Sequence, residues 1–195
     1  MKRARKYVLE EVKHRMTLEE PGKPLLFDVD RRLVAEVTSK HDFKALAQSL
    51  QGKEPKKAEA ALERFGRKLM KLVIELADHK YPERTGEMIE RVARQTGISF
   101  PHRFERYVEI SLIGSRPQDR WNVVKATTKE LVLQIYSCAA FQAIKEQGLE
   151  YQGLPCQALC FASFKVAAQQ TGDRIKMELR KELPRDGMCE FSFSV

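Results

Sequence analysis

Apolar side chains recur every three or four residues along the first part of this chain and every second residue near its end. That change of period predicts a run of helices followed by a unit of mixed strands and helices. Over residues 2–18, Val8, Val12 and Met16 form a narrow stripe on a charged helix, which stops before Pro21-Gly22-Lys23-Pro24, a turn or linker by composition. Residues 25–37 fit strand and helix equally. Phe43, Leu46, Ala47 and Leu50 predict a helix over about 40–50. The strongest single signal lies at 56–79, where Ala58, Ala61, Leu62, Phe65, Leu69, Leu72, Val73 and Leu76 share one face of a core helix. A further helix is expected over about 84–96, with Met88, Ile89, Val92 and Ala93 inward and Gly97 as its C-terminal cap. Residues 102–113, carrying Phe104, Tyr107, Val108, Ile110 and Leu112, fit a further helix or an extended segment, and helix is preferred.

After the turn-like Ser115-Arg-Pro-Gln-Asp119 the pattern becomes β-branched. Residues 121–126 and 131–136 read as two strands joined by the polar run 127–130. A helix over about 138–148 ends at Gly148, and a second starts near Pro155, a good first-turn residue, and runs to Gly172. Two alternating strands follow, with Ile175, Met177 and Leu179 on one face of the first and Cys189, Phe191, Phe193 and Val195 on one face of the last. Pro184-Arg-Asp-Gly187 between them is hairpin chemistry. The order β-β-α-α-β-β predicts an α+β protein: a helical part over 1–115, then a small antiparallel sheet over 116–195 with one wet face and one covered by the helix pair, the whole forming one compact unit.

Charge divides the chain in the same way. The 195 residues carry 35 Lys+Arg against 27 Asp+Glu, a net +8. Residues 126–195 hold eight of each and are neutral, so the whole excess falls within residues 1–125. A basic surface raises nucleic acid as a partner. Its basic residues are interleaved with acids, however, and no helix-turn-helix or zinc-finger spacing occurs, so solvated helix faces are expected and a nucleic-acid partner is not. No apolar run approaches the ~18 residues of a membrane span, and Glu10 and Glu11 interrupt any secretory signal. A cytoplasmic protein is expected, free of the membrane and open to homo-oligomerisation. Asp28 and Asp30 imitate a phosphotransferase Asp-x-Asp, but no βαβ pattern follows. His14, His41, His79 and His102 are isolated and are expected as surface or capping residues, and Trp121 as a core anchor.

All four cysteines lie in the neutral part. Cys156 and Cys160 are one helical turn apart, on the face shared with Leu159, Ser163, Phe164 and Ala167. Cys189 alternates with Phe191 and Phe193 and so turns toward the same interior from the sheet. Cys138 falls where a strand hands over to a helix, a place where the helix N-terminus lowers a thiol pKa. Four thiols can therefore meet in one pocket. Three readings stay open: buried reduced cysteines acting as small hydrophobes, a reactive thiol in a small-molecule pocket, and a metal or iron–sulfur site, whose spacing signal is weak without a Cys-x2-Cys pair.

The run from Lys129 through Cys138 to Gly148, then Pro155-Cys156-Gln-Ala-Leu-Cys160, then Lys181-Glu-Leu-Pro-Arg-Asp-Gly187-Met-Cys189-Glu-Phe191-Ser-Phe193, resembles the C-terminal signature of the L-2-amino-thiazoline-4-carboxylic acid hydrolase family. The resemblance covers roughly residues 120–195. Where the family often carries an acidic residue shortly after the second-helix cysteine, this chain has Phe161, Ala162 and Ser163. The resemblance implies hydrolytic opening of a small cyclic C–N/C–S substrate to an N-carbamoyl cysteine. Such a reaction needs an activated nucleophile, a proton donor and a cation for the substrate carboxylate. Cys138 is the first candidate for the nucleophile, or for a metal ligand, with Cys160 and Cys189 next and Cys156 beside them as a candidate ligand. Arg103 or Arg106 are candidates to hold the carboxylate. The alternative is a non-catalytic domain that binds a small molecule or senses thiols or metal.

Overall fold

The computed structural model describes residues 31–80, 116, 118–126, 129–149, 155–171 and 174–195. The helices expected over 2–18, 84–96 and 102–113, the turn at 21–24, Asp28 and Asp30 lie outside the described residues.

The stretch that fitted both strand and helix becomes helical at its end, as α1 (Arg31–Lys40), and is followed by α2 (Phe43–Leu50) and α3 (Pro55–Lys80). The expected helix over 40–50 begins later, at Phe43, because Asp42 acts as its cap. Asp42 has an extended backbone (φ −86°, ψ 113°), and its Oδ1 accepts hydrogen bonds from the amides of Lys44 and Ala45 at 2.8 and 3.3 Å. Two of the amides that a helix start leaves without partners are thereby satisfied. The apolar face of α3 is buried as its period predicts, through Ala58, Leu62, Leu69, Val73 and Leu76.

Then come β1 (Arg120–Ala126), β2 (Glu130–Ser137), α4 (Ala139–Glu146), α5 (Gln157–Thr171), β3 (Lys176–Lys181), the one-turn α6 (Leu183–Asp186) and β4 (Cys189–Ser194). The strands form one antiparallel sheet in the order β1-β2-β4-β3. In the central pair Leu131 stands opposite Phe193, Leu133 opposite Phe191 and Ile135 opposite Cys189. Strand alternation carries all of these to one face. The link at 184–187 is helical rather than a simple turn, and Gly187 closes it with φ 72°. Val195, expected inside with Phe193, lies past the strand end and is exposed.

The helix pair divides its labour. Helix α5 lies on the sheet, where Phe164 meets Phe191 and Phe193 edge-on at 5.4 and 4.9 Å between ring centres, a favourable aromatic geometry. Helix α4 instead packs Ala140, Ala143 and Ile144 against Leu46, Ala47 and Leu50 of α2 and Leu62 of α3. The opposite side of α5 receives α3, with Val166 and Ala167 among Leu69, Met70 and Val73. Such a helix needs apolar residues all round, and α5 has Lys165 as its single charged residue. The layers are therefore sheet, α5 and α3. The two helices come closest at Gly66, where an added Cβ would stand 2.2 Å from the carbonyl oxygen of Leu159. Ser163 fastens the crossing, its hydroxyl donating to the Gly66 carbonyl at 3.0 Å.

The second face of the sheet carries a charged network centred on Glu130, which accepts from Arg180 and Ser192 at 2.9 Å each and from Lys125 at 2.5 Å. This face is not uniformly wet as expected. Val132 and Ser192, at its centre, are each only 3% exposed.

Candidate functional site

The junction between β2 and α4 brings the thiols together. Cys138 is the N-cap residue of α4, with extended backbone (φ −139°, ψ 122°), and its side chain makes no capping hydrogen bond. The cap is supplied from elsewhere in the chain: Asp119, 20 residues earlier, accepts the Ala139 amide on Oδ1 at 2.7 Å. Its other oxygen accepts the Arg116 amide at 2.6 Å, while the Asp119 amide returns to the Arg116 carbonyl at 2.9 Å. One carboxylate thus closes its own turn and opens a helix.

Around this junction Cys138, Cys156 and Cys160 pack against the core formed by α2, α3 and α4, while Cys160 also touches the sheet core that contains Cys189. Cys160 occupies the seam between the two. It lies within electrostatic reach of the other three thiols and of Asp119. Cys189 is buried, the others half-buried, and all four are reduced. Cys138, Cys156, Cys160 and Cys189 thus lie near one another at the seam, and the cleft on the far side of the Arg116–Asp119 turn is lined by none of them. Among the described residues, no group of three or more His, Cys, Asp or Glu is arranged to hold a metal ion.

The protonation states differ from expectation. The Phe141 and Ala140 amides do draw the Cys138 thiol pKa down, as the helix start predicts, but burial and then the charge of Asp119 outweigh them and push it up to about 12. Desolvation destabilises a thiolate by more than the exposed backbone dipoles return. Cys156 is raised to about 11 by burial, then by Cys189 and Glu182. Cys160 is raised well above the ordinary thiol range by burial, with the other thiols and Asp119 adding. Cys189 is raised by burial, although the Leu183 amide, donating to its sulfur at 3.3 Å, works the other way. Burial also raises the Asp119 carboxyl, against the pull of the Ala139 and Arg116 amides and the Arg116 charge. The locus is a set of thiols held in the protonated form by burial, with the Asp119 carboxyl adding to this at Cys138 and Cys160.

A cleft of about 440 Å³ opens on the other side of the Arg116–Asp119 turn, lined by His41, Phe43, Lys44, Arg116, Ala139 and Gln142 among others. Arg116 is buried, donates to the His41 carbonyl at 3.3 Å and holds its guanidinium 5.1 Å from the Phe43 ring centre. His41 directly follows α1, its amide donating to the Val37 carbonyl at 3.0 Å, and its half-buried ring meets Phe65 edge-on at 5.2 Å. Trp121 is half-buried against the sheet core.

Asp119 and Arg116 were missed as site residues because their partners are distant in the chain. The one available signal was an acidic residue just before β1 together with a helix, α4, whose N-cap position holds Cys138 rather than a capping side chain. Arg103 and Arg106 lie outside the described residues, as do His14 and His102. No protein-family model, curated protein or solved structure matches the chain.

Proposed function

We propose that this protein hydrolyses a small cyclic C–N/C–S substrate of the aminothiazoline carboxylate type, with the Cys138–Asp119 pair at its reacting centre. The observation that supports this is the clustering of four thiols, contributed by the start of α4, the start and first turn of α5 and by β4, two of which, Cys138 and Cys160, feel the charge of the Asp119 carboxyl. A 2-aminothiazoline is an amidine and carries a proton near neutral pH. Its cation answers the two features that hold the thiols up, because a positive charge beside Asp119 favours both the carboxylate and a thiolate. In the proposed reaction the Cys138 sulfur bonds to the ring carbon between sulfur and nitrogen, and the thiol proton passes by way of Asp119 to the ring sulfur. That sulfur leaves as the C–S bond breaks. Water then adds to the same carbon, displaces Cys138 as its thiol and releases one proton with the carbamoyl product.

A second reading, a non-catalytic thiol-lined binding domain, is favoured by the raised thiol pKa values themselves, since unreactive buried cysteines behave in this way. Turnover of L-2-amino-thiazoline-4-carboxylate, followed by release of the new product thiol, separates the two. The hydrolase predicts turnover in the wild type and a loss of at least about 100-fold in Cys138→Ser. Folded wild-type protein without turnover rejects it in favour of the binding domain.

A further inference from the structure

We propose that His41 is a pH-sensitive latch: its neutral ring, seated on Phe65, holds the Arg116–Asp119 turn in place, and uptake of a proton loosens that turn and the cap it supplies to α4 beside Cys138. The device acts through backbone order and stands whether or not a thiazoline is turned over.

A short run of contacts joins the ring to the cap. His41 lies in the link between α1 and α2, and its ring meets Phe65 of α3 edge-on at 5.2 Å. Phe43 lies against the same Phe65 ring at 5.5 Å, and the Arg116 guanidinium sits 5.1 Å from the Phe43 ring centre. Arg116 also donates to the His41 carbonyl at 3.3 Å. From Arg116 the connection passes to Asp119, which accepts the Arg116 amide on one oxygen and, on the other, the Ala139 amide that opens α4. Cys138 immediately precedes that amide as the N-cap residue.

The ring is placed so that a proton is costly there. Its Nδ1 is buried and has no hydrogen-bond partner, alone in this among the described side chains. A neutral imidazole can leave that nitrogen bare. The imidazolium puts an N–H on it with nothing to accept the bond, and an unmet buried donor costs more when it is charged. The charges around the ring act in the same direction. Burial comes first, and then the cations Arg116 of the turn, Lys68 of α3 and Lys40 at the end of α1 depress the His41 pKa. The carboxylates of the two adjoining turns are committed, Asp42 to the Lys44 and Ala45 amides and Asp119 to those of Arg116 and Ala139. Lys44 of α2 and Glu146 of α4, on the neighbouring cleft, carry opposite charges. The folded chain therefore takes up this proton less readily than the unfolded one. Stability contributed by neutral His41 is full above its ordinary 6.5 and is lost as pH falls from that value through the folded one. Relief comes when the ring leaves Phe65, a movement that carries the His41 carbonyl away from Arg116.

Amide hydrogen exchange of the whole chain, read by NMR as protection relative to the intrinsic rate, tests the latch at Ala139. In the wild type, protection of the Ala139 amide should fall severalfold between about pH 7.5 and about pH 5.5, in step with titration of the His41 imidazole at a midpoint below its ordinary 6.5. His41→Phe keeps an aromatic ring on Phe65 and removes the unpartnered nitrogen. It should be at least as stable as wild type at neutral pH and should lose the pH dependence. If His41→Phe does not fold, His41→Asn decides. Asp119 is the competing titration, because burial raises its carboxyl, and it is retained in both variants. The proposal is overturned by constant Ala139 protection in the wild type, by the same fall in the folded variants, which would assign it to Asp119, or by titration of His41 at or above its ordinary value.

Discussion

Replacing Gly66 by alanine tests the layered architecture and its link to the thiols. Within an exposed helix the exchange would stabilise, because alanine gains about 1 kcal/mol over glycine in helix propensity. Here the new methyl would stand 2.2 Å from the Leu159 carbonyl oxygen and 3.0 Å from both the Leu159 carbonyl carbon and the Ser163 hydroxyl. The obstacle is backbone, so no side-chain rotation relieves it, and α3 and α5 must separate by on the order of 1 Å, an overpacking strain that typically costs 1–3 kcal/mol. Separation also stretches the Ser163 to Gly66 hydrogen bond, about 1 kcal/mol more. Setting the propensity gain against these terms leaves a net loss of about 1–3 kcal/mol. Urea denaturation of wild type and Gly66→Ala measures it as a fall in midpoint at unchanged slope. Since Cys160 directly follows Leu159, thiazoline turnover, where present, should fall along with stability. A variant as stable as wild type, or more so, would refute the close crossing of α3 and α5 on which the position of Cys160 depends.

Other outcomes follow from the charges and thiols. Glu130 is depressed to about 2 by its hydrogen bonds from Lys125, Ser192 and Arg180, so it contributes stability that is fully present above its ordinary 4.5 and is lost as pH falls toward 2. Acid titration of Glu130→Gln should therefore show a flatter stability profile between those values, and an unchanged profile would contradict the network. The Cys138 thiol, about three units above its ordinary 9.0, has roughly a thousandfold less thiolate at pH 7.5 than an ordinary cysteine, so native-state alkylation by iodoacetamide should be correspondingly slow. Alkylation at the rate of free cysteine would show that its burial is wrong. Asp119→Ala leaves the Ala139 and Arg116 amides without their acceptor and should cost about 2 kcal/mol, while Asp119→Asn, which keeps one acceptor, should cost less. Equal losses in thermal or urea unfolding would show that the carboxylate is not the cap of α4.

The periodicities of the chain were sufficient for much of its local structure. Spacing alone placed the long helix over Pro55–Lys80, the two helices that follow β2, and the alternation that turns Phe191 and Phe193 inward. These are local properties, settled by side chains within a turn or two of one another, and the inward placing of Cys160 and Cys189 was legible for the same reason, each lying in register with the apolar face of its own element, whereas Cys138 was placed by the handover from strand to helix. The departure at α2 is local too, but it depends on Asp42 preferring to cap a new helix over continuing an old one.

What tertiary structure alone decided is how those faces combine. Nothing within α5 says which side meets the sheet and which meets α3, because apolar residues surround the helix and only the partners distinguish them. Arg116 reaches back 75 residues to the His41 carbonyl, and Asp119 reaches forward 20 residues to cap α4, so neither role exists until the chain is folded. The sign of the Cys138 shift belongs to the same category. A helix start visible in the sequence lowers a thiol pKa through nearby dipoles, whereas desolvation is set by everything packed around the sulfur, and in this fold the packing prevails.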